Sequence, residues 1–87
     1  MNQTHQKTLR AIFTVPTSAA VKFSDIEKLL AALGASVIEG SNSRVALIMP
    51  NNFKWEAYRP FLGKEAKKYQ VESVRKFLDV LNVKSDE

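Results

Sequence analysis

Apolar residues recur at helical spacing in three stretches of this chain and at strand spacing in three others. Over residues 4–14, Leu9, Ile12 and Phe13 fall at i, i+3 and i+4, with Thr4 placed to cap the start and Pro16 to end the helix. Residues 15–22 show no strong period and read as a connector. The helix predicted over 24–33 has the sharpest limits. Ser24 and Glu27 spell a capping box, Ile26, Leu29, Leu30 and Leu33 form one apolar stripe, and Gly34 stands where a left-handed C-cap is wanted. After Gly34 the period drops from about 3.6 to 2. Residues 36–39 predict a short strand, followed by the turn Gly40-Ser41-Asn42. In 44–49, Val45, Leu47 and Met49 share one face, and Arg44, Ala46 and Ile48 the other. Pro50-Asn51-Asn52 turns the chain again, and in 53–58 Phe53, Trp55 and Ala57 oppose Lys54, Glu56 and Tyr58. Helical spacing returns over 69–82 with Val71, Val74, Leu78 and Leu81, widened by Phe77. This last helix leaves Glu72, Arg75, Lys76 and Asp79 outside and ends at Asn82, after which residues 84–87 are expected to fray.

Two short turns between consecutive strands dictate an antiparallel meander, because a parallel pair needs a crossover of about a dozen residues. One face of such a sheet must be covered, and the two stronger helices are the elements available to cover it. The expected fold is a two-layer α+β domain in the order α-α-β-β-β-α, with Trp55 and Phe53 packed in the core under a helix. Its strongest elements run α-β-β-β-α, the layout of a double-stranded-RNA-binding domain. Residues 1–22 supply the first helix and connector, 23–83 the core and 84–87 a tail, all within one domain.

Eighty-seven residues leave room for a single core. With 45% apolar and 25% charged residues, the composition is that of a folded domain, not a disordered or low-complexity chain. The absence of cysteine removes disulfides, thiolate metal sites and cysteine nucleophiles together. One histidine, His5, allows no Ser-His-Asp triad, no histidine metal site and no two-histidine ribonuclease within one chain. No metal or other cofactor is expected. The longest apolar run, Val45 to Met49, is five residues, against roughly 20 for a membrane span. The opening MNQTHQKTLR is polar, with no signal-peptide core behind it. The expectation is a cytoplasmic protein with no membrane partner.

Charge changes this picture from generic to directional. Between Gly40 and Lys76 lie eight basic residues, Arg44, Lys54, Arg59, Lys64, Lys67, Lys68, Arg75 and Lys76, against the acidic Glu56, Glu65 and Glu72. A basic half on a small domain points to a polyanion, nucleic acid before membrane. The candidate RNA contacts are Arg44, Lys54, Tyr58, Arg59, Lys64, Lys67, Lys68 and Arg75. Each also has a plainer reading. Arg44 is either a phosphate ligand or an ordinary residue of a solvent-facing strand. Lys64, Lys67 and Lys68 form either a phosphate clamp, helped by free N–H groups at a helix start, or a solvated loop. Tyr58 and Phe61 either stack on unpaired bases or pack, and Phe61 beside Leu62 reads first as a core plug. The competing function is a protein-interaction module whose basic face holds an acidic partner.

Longer patterns are also present. Arg59-Pro60-x-x-x-Lys64-Glu65-Ala66-Lys67-x-Tyr69-Gln70-Val71-Glu72-x-Val74-Arg75-x-Phe77-Leu78 resembles the C-terminal half of one branch of the HicA-family toxins. The opening His5-x-Lys7-Thr8-Leu9-x-Ala11-Ile12-Phe13 and the run Ile26-Glu27-x-Leu29-Leu30-x-Ala32-Leu33-Gly34-Ala35 are similar to the same branch. Gly40 and Ser43-Arg44-Val45 fit it too, so the resemblance spans about residues 5–83. It implies a double-stranded-RNA-binding-domain-like fold and metal-independent cleavage of messenger RNA by a histidine on the sheet. It also implies a HicB-like antitoxin as partner.

The chain departs from that pattern where the chemistry should be. The family's catalytic histidine aligns with Arg44. The branch carries Phe-His-Arg-Pro-His-Pro where this chain has Ala57-Tyr58-Arg59-Pro60-Phe61-Leu62, so Tyr58 and Phe61 also replace histidines. Cleavage at a 2′-hydroxyl needs groups that exchange protons near neutral pH. Arginine, with a pKa above about 12, stabilises negative charge but is no base, and tyrosine near about 10 is a poor one. Losing one general acid–base group removes about 10²–10⁴-fold of rate. The expected function is RNA binding with weak or absent ribonuclease activity.

Overall fold

Gly34 lies where the chain changes from helix to sheet, and its backbone shows why. A computed structural model describes residues 3–60 and 64–83. Its elements are α1 (Gln3–Phe13), α2 (Phe23–Ala32), β1 (Ser36–Glu39), β2 (Arg44–Ile48), β3 (Lys54–Tyr58) and α3 (Lys68–Val80). Gly34 adopts φ +108, a region that costs an L side chain dearly. There its N–H reaches the Ala31 carbonyl while the Ala35 N–H reaches that of Leu30, the paired bonds of a Schellman motif. Asn82, at φ +64, closes α3 the same way, with Val83 N–H on the Leu78 carbonyl.

The three strands form an antiparallel sheet in the order β1-β2-β3, so the protein is an α+β domain with elements α-α-β-β-β-α. The turn between β1 and β2 places both Asn42 and Ser43 at positive φ, as a type I′ hairpin turn requires. Pairing Val37 with Leu47 and Leu47 with Trp55 sets one face, and pairing Ile38 with Ala46 and Ala46 with Glu56 sets the other. Val45, Leu47 and Trp55 point into the core, where Leu29, Leu30, Val71, Val74 and Leu78 meet them. α2 covers β1 and β2, α3 lies against β3, and α1 packs on both helices. Leu9 and Ile12 carry the core into α1, so the N-terminal segment is part of it.

Tertiary contacts move several local features. Thr4 does not cap α1: the helix begins at Gln3, and the Thr4 carbonyl accepts the Thr8 hydroxyl instead. The Ser24–Glu27 capping box does not form either, because α2 starts one residue early with Lys22 at its N-cap. Lys22 is held extended by a bridge to Glu65, with Phe23 N–H on the Lys64 carbonyl and Ala66 N–H on that of Val21. Phe23 is thereby driven into the core, its ring 5.9 Å from that of Trp55. Phe53, expected beside Trp55, is 45% exposed, since it precedes β3 and joins the turn made by left-handed Asn52. Leu81 is the C-cap of α3, not a full member of its stripe, and is half-buried. Among the described residues, no helix is long and apolar enough to cross a membrane.

Candidate nucleic-acid interface

The sheet face turned away from the helices gathers residues that alternate with the core positions. The pairings Arg44–Tyr58 and Ile48–Lys54 place Arg44, Lys54 and Tyr58 together on this open face, with Glu56 between them. Arg44 donates to Glu56 Oε2 at 2.6 Å, and Lys54 Nζ lies 3.8 Å from Glu56 Oε1. The hydrogen bond from Arg44, reinforced by the Arg44 and Lys54 charges, holds the Glu56 carboxyl below its usual range. The same bond pushes Arg44 further from deprotonation. The charges of Arg44 and Lys54 together outweigh that of Glu56, so this trio is net positive on the open face.

Arg59 and Arg75, both candidate RNA contacts, also brace the fold. Arg59 grips Glu27 with two hydrogen bonds, Nε to Oε1 at 3.2 Å and NH2 to Oε2 at 2.8 Å. Its NH1 also lies 3.3 Å from Glu39, so one guanidinium ties the end of β3 to α2 and to β1. Those bonds to Glu27 and Glu39 raise its pKa far above the ordinary arginine value. Arg75, expected to face outward, reaches back across α3 to the end of α1. It donates to the Ile12 carbonyl at 2.8 Å, the Thr14 carbonyl at 3.1 Å and Thr17 Oγ1 at 3.2 Å. The Ile12 and Thr14 carbonyls lie at the end of a helix whose last carbonyls lack intrahelical partners, Thr17 follows in the connector, and a cation there also complements the helix dipole. Both arginines tie separate elements of the fold together.

The lysines fare differently. Lys64, Lys67 and Lys68 are exposed at the entry to α3, with Lys67 as its N-cap. Phe61 lies outside the described residues. His5 sits half-buried on α1, which packs on α2 and α3, so the helices stand between it and the open face. Among the described residues, no three His, Asp or Glu side chains assemble as metal ligands.

A seam between β3 and α3 adds residues that periodicity alone did not single out. Gln70 is only 3% exposed. Its Oε1 accepts the Lys67 N–H at 2.9 Å, and its Nε2 donates to the Tyr58 carbonyl at 2.8 Å. This one side chain pins the end of β3 to the first turn of α3. Next to it, Trp55 Nε1–H donates to Ser73 Oγ at 3.0 Å. Above these bonds opens a cleft of about 490 Å³, lined by Arg44, Trp55, Glu56, Tyr58, Tyr69 and Ser73 among others. Tyr58 and Tyr69 are 58% and 63% exposed. Tyr69 had one signal in the sequence: it follows two lysines at an outward position of a helix start. No family model, no curated protein and no solved structure matches this chain.

Proposed function

We propose that this protein binds RNA through the open sheet face and the entry to α3, as a HicA-like toxin-family protein with weak or absent ribonuclease activity. The observation that carries this reading is how the fold sorts its cations. Arg59 and Arg75 are bound into contacts between elements of the fold, whereas Arg44 and Lys54, paired with the exposed Glu56, and Lys64, Lys67 and Lys68 are exposed, as are Tyr58 and Tyr69. Such a set contacts phosphates without reading sequence, with aromatic rings available to bases. Weak chemistry follows from Arg44 standing in the place of the family's histidine and from Glu56 being held as a feeble base beside it. By the same resemblance the RNA is messenger RNA and the protein partner a HicB-like antitoxin.

The test is RNA binding by the chain alone across salt. If three to five of these cations reach phosphates, log K falls against log salt with a slope of about −2 to −3.5, taking about 0.7 per contact on single strands. Replacing Lys64, Lys67 and Lys68 together with alanine flattens that slope by about two units. A flat slope, or no binding at low salt, sinks the proposal. One observation favours a second reading, a protein-binding module: Ile38, 53% exposed, lies beside Ala46 and Ile48 on the open face. That reading gains if the isolated chain ignores RNA yet captures an acidic protein.

A further inference from the structure

We infer that the cleft between β3 and α3 is a stacking site for one unpaired nucleobase, so that this protein prefers single-stranded to duplex RNA. The inference rests on the RNA reading above and adds to it a site and a substrate form. The cleft, at about 490 Å³, falls within the roughly 300–1,000 Å³ of small-ligand sites. Its two aromatic walls come from different elements, Tyr58 from the end of β3 and Tyr69 from the first turn of α3. Gln70 fixes their backbones to each other through its hydrogen bond to the Tyr58 carbonyl. Two tyrosines brought to one seam, each more than half exposed, leave ring surface free for a flat guest. A duplex keeps its base faces inside the stack and shows this cleft only phosphates and sugars.

The lining also carries groups suited to a base edge. In the β2–β3 ladder the bonded pairs fall at odd positions, since Met49 N–H bonds the Phe53 carbonyl and Arg59 N–H that of Ser43. Alternation therefore turns the N–H and C=O of Glu56 toward the free edge of β3. The Tyr58 carbonyl, on the same side, demonstrates the point by accepting Gln70 from α3. Glu56 thus presents a peptide donor and acceptor at the cleft, and Ser73, whose oxygen accepts the Trp55 indole, keeps its own hydroxyl proton to donate. Arg44 lies at the sheet side of the cleft, and Lys67 and Lys68 directly precede Tyr69, placing cations for the flanking phosphates.

The single tryptophan gives a direct readout, because Trp55 lines the cleft. The full chain is titrated with a single-stranded RNA, its duplex, and an abasic strand of the same length, following Trp55 emission and labelled-RNA anisotropy. The single strand is expected to bind most tightly and to shift Trp55 emission. Tyr69→Leu lowers single-strand affinity by about 5- to 150-fold, the range that aromatic–base stacking supplies, without changing the salt slope. Tyr69→Phe retains affinity, and Tyr58→Leu repeats the Tyr69→Leu loss from the other wall. Melting temperature confirms that each variant folds, as exposed positions allow. If RNA binds but both leucine variants leave affinity unchanged, or the abasic strand or duplex binds as well as the intact strand, the stacking site is wrong and RNA binding stands. If no form of RNA binds, both fall. If an acidic peptide moves Trp55 emission and RNA does not, the cleft belongs to a protein partner and the inference is overturned.

Discussion

Replacing Gln70 with leucine isolates the contact that joins the candidate site to the fold. The two side chains have similar volume, so the change removes hydrogen bonds with little change in packing. Two partners lose their bonds at once, the Lys67 N–H at the start of α3 and the Tyr58 carbonyl at the end of β3. A polar group left unpaired in buried surroundings costs about 1–3 kcal/mol. Lys67 and Tyr58 are themselves exposed residues, so water reaches part of what is lost and the low end of that range applies to each. Gln70→Leu should therefore destabilise the domain by about 2–3 kcal/mol, a large share of the roughly 5–15 kcal/mol a domain possesses. At about 4–8 °C per kcal/mol for a chain of this size, the melting temperature falls by roughly 10–20 °C. Urea unfolding followed by Trp55 fluorescence measures the change, with an unaltered m-value showing that the unfolded state is the same. Single-strand affinity should fall too, since Tyr58 and Tyr69 are no longer held at one seam. A loss below about 0.5 kcal/mol would show that Gln70 is a passenger and that packing alone sets the β3–α3 junction.

Arg75→Met strips the end of α1 of two hydrogen bonds and the connector after it of a third, and should cost about 1–3 kcal/mol in urea unfolding, while changing RNA affinity by less than twofold. A large affinity loss without a stability loss would return Arg75 to the RNA-binding set. Glu56→Gln frees Arg44 and Lys54 from their shared carboxylate, and filter binding should show tighter RNA association with a salt slope steeper by about 0.7–1.4. Glu56 is held below its ordinary value of 4.5 in the folded state. Its stabilising effect is thus complete above that value and disappears as pH falls through the lowered one. Stability measured downward from pH 7 should decline more gently below about pH 4.5 in Glu56→Gln than in the unaltered protein.

The elements themselves were legible because each is written in local period. The shift at Gly34, the alternation from Arg44 to Met49 and the return of helical spacing at Val71 each match the element that forms there. Local reading failed wherever a distant strand or helix claimed a residue. Ser24 and Glu27 spell a capping box, but backbone pairing of residues 21–23 with 64–66 starts the helix earlier, and Glu27 goes to Arg59, 32 positions away. Arg75 looked like one more surface cation because its partners, Ile12 and Thr14, are 63 and 61 positions distant. The charge count between Gly40 and Lys76 gave no sign that two of its arginines also brace the fold. Gln70 and Tyr69 were missed for a related reason: a glutamine buried by two hydrogen bonds and a tyrosine walling a cleft have no periodicity of their own.

Whether the scaffold can present RNA for cleavage is tested at Arg44. The side chain lies on the open face opposite Tyr58, beside Glu56 and at the mouth of the cleft. An imidazole introduced there by Arg44→His would have that carboxylate as neighbour, and a nearby negative charge raises a histidine's pKa from about 6.5 toward neutrality, where proton exchange is efficient. If the backbone places RNA as the resemblance to the HicA family implies, metal-independent cleavage should rise by about 10²-fold or more. Arg44→Lys is the control, since it keeps the charge but supplies no group that titrates in this environment near pH 7. Cleavage is read on labelled RNA in the presence of chelator, with binding measured on the same substrate. An Arg44→His variant that binds RNA as well as its parent and still does not cut would mean that this face holds RNA in a pose no single histidine can use. Robust cleavage by the unaltered protein, abolished by Arg44→Ala or Tyr58→Phe, would overturn the argument from the other side. The arginine–glutamate–tyrosine group would then be a catalytic site in its own right, and Glu56, feeble as a base here, would have to act through positioning of Arg44.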